Sequence, residues 1–268
     1  MKDSINNPRS VPSLVQGVLE NGPLAIVVTL IEAPRNVGAK MIVDEKGSRH
    51  GSFADEGLDE AVSRHATVFL GSKEETRTFY GREFTPALTE FNEAQFLFEL
   101  IQPEQRVVVC GAGHVGASLA RLAAMLGYRA TLIDDREEFV RREEFRETNI
   151  ELVQAKSWTE AVGAALGNGR GVSVAIVTRG HSEDEQCLRA ALANTNPDYV
   201  GLIGSKRRTR IVLERLRESG VSSERLAKVH APIGLDIGAV TPEEVALAII
   251  AEIVLVRRGG TGGSLSRR

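Results

Sequence analysis

The stretch VVVCGAGHVG, residues 107–116, constrains the fold of this chain more than any other. Val107 to Cys110 form an unbroken apolar run, the pattern of a strand buried on both faces. The run meets glycines at 111, 113 and 116 and passes into HVGASLARLAAMLG, which has helical spacing and small residues near its start. Strand, Gly-x-Gly-x-x-Gly turn and helix together form the opening of a dinucleotide-binding unit. Gly111 permits the tight turn, Gly113 lets the backbone approach a phosphate, and Gly116 lets the helix pack close to the sheet. The first N–H groups of the helix, from His114 on, then face an anion. The next strand, YRATLID, runs into Asp134 and Asp135, at the distance where an acid takes a ribose hydroxyl. Glycines alone would equally serve turn and packing, so the acid is what favours a Rossmann unit. Cys110, at the strand end, reads as a small buried hydrophobe.

The alternation continues. NIELV, GVSVAIVT (171–178) and DYVGLIG (198–204) are further strands; EDEQCLRAALAN and SKRRTRIVLERLRESG are helices. TPEEVALAIIAEIVLVRR (241–258) is a long helix with Pro242 in its first turn and two arginines at its end, both suited to helix termini. Such alternation predicts an α/β fold: a Rossmann-like, doubly wound parallel sheet over 106–258. The charged run DDREEFVRREEFRE (134–147) reads as a solvated helix or loop, and residues 259–268, rich in Gly, Ser and Arg, as a disordered tail.

The first 80 residues have a different texture and predict a smaller mixed α+β domain. LAIVVTLI (24–31) and AKMIV (39–43) are strands joined by the turn EAPRNVG; EGLDEAVSRHATVF (56–69) is a helix with Leu58, Ala61, Val62 and His65 on one side; ETRTFY is a short strand. Residues 81–105, with phenylalanines at 91, 96 and 98, are too apolar for a free linker and are expected to form a connector packed across both domains.

Composition narrows the function. A net charge of −3 provides no basic field for nucleic acid. Two cysteines, Cys110 and Cys187, without metal-ligand spacing exclude a thiolate cluster or disulfide framework and fit a reducing cytoplasm. The N-terminus MKDSINNPRSVPS has no apolar core of a secretory signal, and no apolar run is long enough to span a bilayer. Nucleophile elbow, Walker and HExxH motifs are absent, so neither catalytic nor metal-ligating residues are assigned.

Three further segments carry candidate ligand residues. In VTRGHSEDE (177–185), His181 follows a strand at the carboxyl edge of the sheet, where ligands bind in open α/β folds; its plain alternative is a histidine in a turn. In GLIGSKRR (201–208), Ser205 suits a helix cap, and Lys206, Arg207 and Arg208 put positive charge where the helix dipole disfavours it, either to gather donors for an anion or as a solvated basic face. In APRNVGAKMIV (33–43), Arg35 and Lys40 flank a turn that is otherwise an ordinary hairpin.

Taken in order, APRNVGAKMIV, VVVCGAGHVG with LIDDREE, TRGHSEDE, YVGLIGSKRR and VHAPIGLDIGAVTPEEVALAIIAEIVLVRRG resemble the XdhC/CoxI family, the xanthine dehydrogenase accessory factors, over roughly residues 11–259. HAPIGLDIG…TPEE is the most specific part. The resemblance implies a cofactor-binding chaperone: such proteins bind molybdenum cofactor (molybdopterin) as cargo, help it receive a terminal sulfur from a cysteine desulfurase, and deliver it to a molybdenum hydroxylase. It is compatible with a homodimer. It implies a cleft of Gly111, Gly113, His114, Gly116, Asp134, Asp135, His181, Ser205, Lys206 and Arg207, with Arg35 and Lys40 sharing the anion. One departure stands out. Where the family commonly has GS-x-x-GG-[CR]-[LV]-E, this chain reads GSFADEGLDEAV; Asp55 and Glu56 replace the paired glycines, and Gly57 stands where some members carry cysteine. Carboxylates there would repel an anionic cofactor. Two other functions use the same motifs: an NAD(P)-linked oxidoreductase, with the acid favouring NAD over NADP, and a nucleotide sensor without chemistry.

Overall fold

The computed structural model describes residues 15–19, 24–72, 74–147, 149–193 and 196–267; the expectations for residues 1–14 lie outside these. The chain divides into two compact units, Met1–Pro103 and Glu104–Arg268.

The first unit is an antiparallel sheet in the order β3-β2-β1-β5-β4, formed by β1 (Ala25–Glu32), β2 (Lys40–Asp44), β3 (Arg49–Gly51), β4 (Thr76–Tyr80) and β5 (Gln95–Ile101). Helix α1 (Glu56–Gly71) buries Leu58, Val62, Ala66 and Phe69 in a core shared with Ile26, Val28, Leu30, Phe96 and Phe98. Residues 81–105 differ from the expected connector. They supply β5, which pairs with β1 on one side and β4 on the other. Phe96 and Phe98 alternate with the less buried Leu97 and Glu99, the period of a strand with one covered face. Up to Pro103 the stretch therefore belongs to the first unit, with β5 as an inner strand.

The second unit is a parallel sheet in the order β8-β7-β6-β9-β10-β11, formed by β6 (Arg106–Cys110), β7 (Arg129–Asp134), β8 (Ile150–Gln154), β9 (Val172–Ile176), β10 (Tyr199–Leu202) and β11 (Val229–His230). Counted from β6, this is the 3-2-1-4-5-6 order of a dinucleotide-binding fold. Helices α2 (His114–Met125), α3 (Trp158–Leu166), α4 (His181–Ala191), α5 (Lys206–Glu218) and α6 (Pro242–Arg258) cover its two faces. Alternate residues of β6 divide between them. Val108 and Cys110 join Trp158, Val162, Cys187, Leu188, Val212 and Leu216; Val107 and Val109 join Leu119, Ala120, Ile249, Ile250 and Ile253. Thr241 and Glu244 form a capping box ahead of α6, and Gly259 ends it in the left-handed region. The charged run 134–147 contains two short 3₁₀ turns, and Leu265–Arg267 form another near the end of the chain. No helix among the described residues is long and apolar enough to cross a membrane.

Candidate functional site

The chain leaves β6 toward β7 on one side and returns to β9 on the other, so the sheet's switch point lies at the carboxyl ends of β6 and β9. The glycine loop starts there. Gly111 donates to Ile133 O at 2.7 Å, and Cys110 O accepts from Val177 N at 2.8 Å, tying the strand end to both neighbours. The three glycines divide by role. A Cβ on Gly111, at φ +109°, would lie 2.6 Å from Val177 O, and one on Gly116 only 1.8 Å from Gly111 O. A Cβ on Gly113 would meet nothing within 4 Å, and its φ of −66° is open to any residue. Packing therefore demands the first and third glycines, whereas the second leaves open space over the loop.

Gly113 is the N-cap of α2 and offers no side-chain acceptor, and the helix's first turn contains no acid. Its leading amides and dipole are available to an anion. Gly180 likewise begins α4 without a side-chain cap, but Glu183 and Asp184 lie in that first turn, and Glu183 folds back over Gly180. The α4 terminus is thus the poorer anion site. At α5, Ser205 caps Arg208 N at 3.2 Å, as its residue type suggests. Lys206 and Arg207 are exposed and make no ion pair among the described residues. His114 and His181, the first residues of α2 and α4, are also exposed.

Asp134 occupies a different role from that of a free ribose acceptor. It is 1% exposed and accepts Ala112 N at 2.7 Å, Arg136 N at 3.0 Å, and the Arg136 guanidinium at 2.9 and 3.0 Å. Burial alone would raise its pKa; the bonds from Arg136 and Ala112 outweigh it and hold the carboxyl below its ordinary value. Asp135 receives both terminal nitrogens of Arg179, at 3.2 and 2.8 Å. Behind the crevice, fully buried Asp184 of α4 accepts Thr178 Oγ1 and Arg208 Nη2, each at 2.6 Å. Burial raises its pKa despite these partners.

Arg35 and Lys40 belong to the first unit, where Arg35 pairs with Glu90 at 3.3 Å and Lys40 bonds Thr29 Oγ1 at 2.6 Å. Asp55 caps α1 by accepting Leu58 N at 2.9 Å, and Glu56 pairs with Arg49. Both carboxylates of the divergent turn thus have local partners.

Sequence reasoning singled out neither Asp184 nor Glu252. Glu252 of α6 accepts Tyr199 OH and Gly234 N and pairs with His230 Nδ1 at 3.3 Å, anchoring HAPIGLDIG to the last helix. That motif was the available signal. No group of three or more His, Cys, Asp or Glu among the described residues is placed to hold a metal ion.

Residues 107–253 match the model of the XdhC Rossmann domain, and residues 18–81 that of the XdhC and CoxI family. The chain belongs to the XdhC and CoxI family. Its relatives include Escherichia coli YqeB, an uncharacterised protein, 30% identical over 256 residues, which cover 92% of this chain and 46% of YqeB. A Bacillus subtilis protein described as a probable subunit of xanthine dehydrogenase is 28% identical over 64% of this chain and 49% of its own length. The chain thus spans about half the length of these two relatives. The Escherichia coli molybdenum cofactor insertion chaperone PaoD is 22% identical over 93% of this chain and 88% of its own. Among solved structures, a xanthine dehydrogenase from Bacillus halodurans superposes with a TM-score of 0.51 at 16% identity, covering 94% of this chain and 97% of that one; this likeness concerns the fold.

Proposed function

We propose that this family member carries molybdenum cofactor as cargo in the crevice at the ends of β6 and β9, assists its sulfuration, and hands it to a molybdenum hydroxylase. One observation carries this reading: Gly113 is a glycine that packing does not require, placed over an uncapped, acid-free helix N-terminus. The phosphate of the pterin sits on the amides following Gly113, beside His114, with Gly111 and Gly116 shaping the loop. His181, Ser205, Lys206 and Arg207 belong to the neighbouring helix starts and supply the rim toward the metal end of the cargo. Asp134 acts by holding the loop in place, with Asp135 beside it. The name of PaoD supports insertion of the same cofactor, and that of the Bacillus subtilis relative supports a xanthine dehydrogenase-type client. A cysteine desulfurase is the proposed sulfur source, and a homodimer in the cytoplasm the proposed form.

NAD(P) is the second reading, favoured by the strand order. Against it, the acid that would take a ribose hydroxyl is filled by Arg136 and Ala112.

The test is native purification followed by acid release and mass spectrometry. A pterin that co-purifies with the wild type and is lost in Gly113→Asp supports the cargo reading. Pterin-free protein that instead saturates with NADH overturns it in favour of the nicotinamide.

A further inference from the structure

The Asp135–Arg179 pair has an unusual position. Asp135 follows β7 and Arg179 follows β9, and β6 lies between those strands. Neighbouring strands stand roughly 4.8 Å apart, so the pair reaches across about two spacings. The backbone bonds below it place it further. Gly111 N meets Ile133 O, two residues before Asp135, and Cys110 O meets Val177 N, two residues before Arg179. The fork therefore closes over the point where β6 enters the glycine loop. Both side chains remain reachable from solvent, Arg179 at 50% and Asp135 at 31% exposure. Arg179 also lies 4.0 Å from Glu183, at the first turn of α4. An exposed pair of this kind is only weakly held, by about 1 kcal/mol or less. A planar guanidinium that fits a carboxylate fits a phosphate equally well.

We propose that Arg179 is a cargo-contacting residue held in reserve by Asp135: when a phosphate-type anion enters the crevice, the guanidinium leaves the carboxylate and closes on the anion. Asp135 thereby sets the affinity of the site. An uncharged ligand gains nothing from the exchange and meets a closed fork, so the pair selects for anions. This rests on the crevice reading above.

The test uses calorimetric titration of the full chain with inorganic pyrophosphate, in wild type, Arg179→Ala, Asp135→Asn and the double variant. Arg179→Ala weakens binding about tenfold, the loss of charge-assisted bonds. Asp135→Asn tightens it about two- to fivefold, the release of an exposed pair. The decisive result is that this gain disappears in the Arg179→Ala background. An equal gain with and without Arg179 means that Asp135 acts only through its own charge and overturns the exchange, as does undiminished binding in Arg179→Ala. Wild-type protein giving no binding heat removes the crevice reading itself, and this inference with it. Thermal melts of all four proteins separate these outcomes from misfolding.

Discussion

The carboxylate of Asp134 accepts the backbone N–H of Ala112 at 2.7 Å, so the end of β7 holds the glycine loop that leaves β6. Arg136 grips the same carboxylate from the other side, at 2.9 and 3.0 Å. The acid that sequence spacing assigns to a ligand is thus part of the loop's own scaffold. Asp134→Asn keeps the shape but weakens the bonds to Arg136 and leaves an amide nitrogen with no acceptor to meet. A loss of about 1–3 kcal/mol in chemical unfolding is expected. The pH dependence has a definite sign. The folded pKa is held below 3.8, so this contribution is present above that value and is lost as pH falls through the folded pKa. Wild type should lose more stability than Asp134→Asn on acidification below about pH 4; parallel curves would remove the scaffold role.

The glycines are expected to separate in a stability series. Gly116→Ala puts a Cβ 1.8 Å from Gly111 O, and Gly111→Ala puts one 2.6 Å from Val177 O in a left-handed conformation. Backbone must move in both, at a cost of about 1–3 kcal/mol or more. Gly113→Ala meets open space, and exchange of a capping glycine for alanine costs about 1 kcal/mol or less. Melting of the three variants checks this: Gly113→Ala should stay near wild type in melting temperature while losing anion binding.

The parallel sheet was legible because its strands are unbroken apolar runs that need no partner's pattern to interpret, and because glycines mark the turn after β6. Strand β5 was not: Phe96 and Phe98 look like generic apolar linker until β1 and β4 flank them. The two-residue β11 is too short to leave a periodic signal. At the site, spacing located Asp134 and Asp135 but not their occupancy. That depends on Arg136 turning back by two residues and on Arg179 arriving from a strand 44 positions away. Asp55 and Glu56 look like an unfavourable departure in a motif, whereas locally one is a helix cap and the other an ion-pair partner.

Asp184 ties α4 to α5 through Arg208, and its carboxyl is wholly buried. Burial raises its pKa, so this group's contribution falls as pH rises through the carboxylate range. Asparagine keeps the side chain's shape and can still accept from Thr178 or Arg208. Asp184→Asn is therefore expected to change stability by less than about 1.5 kcal/mol, whereas Asp184→Ala abandons both donors and a partly buried guanidinium at about 3–5 kcal/mol. Urea unfolding of the two variants is the check, and equal losses would show that ionisation, not shape, holds the junction.

His65 lies among Phe79, Phe84 and Phe98, with ring centroids 4.5, 4.9 and 5.3 Å away. Its Nε2 is buried and has no hydrogen-bond partner among the described residues. Burial lowers its pKa below 6.5, so the folded protein takes up a proton here less readily than the unfolded chain. Stability from this site is complete above pH 6.5 and declines as pH falls below it, because the unfolded state then binds more protons. Phenylalanine has no proton to gain and suits the surrounding rings. Unfolding of His65→Phe monitored between about pH 5 and 7 should show a flatter profile than wild type. Identical slopes would mean that the imidazole becomes protonated inside the cluster without cost.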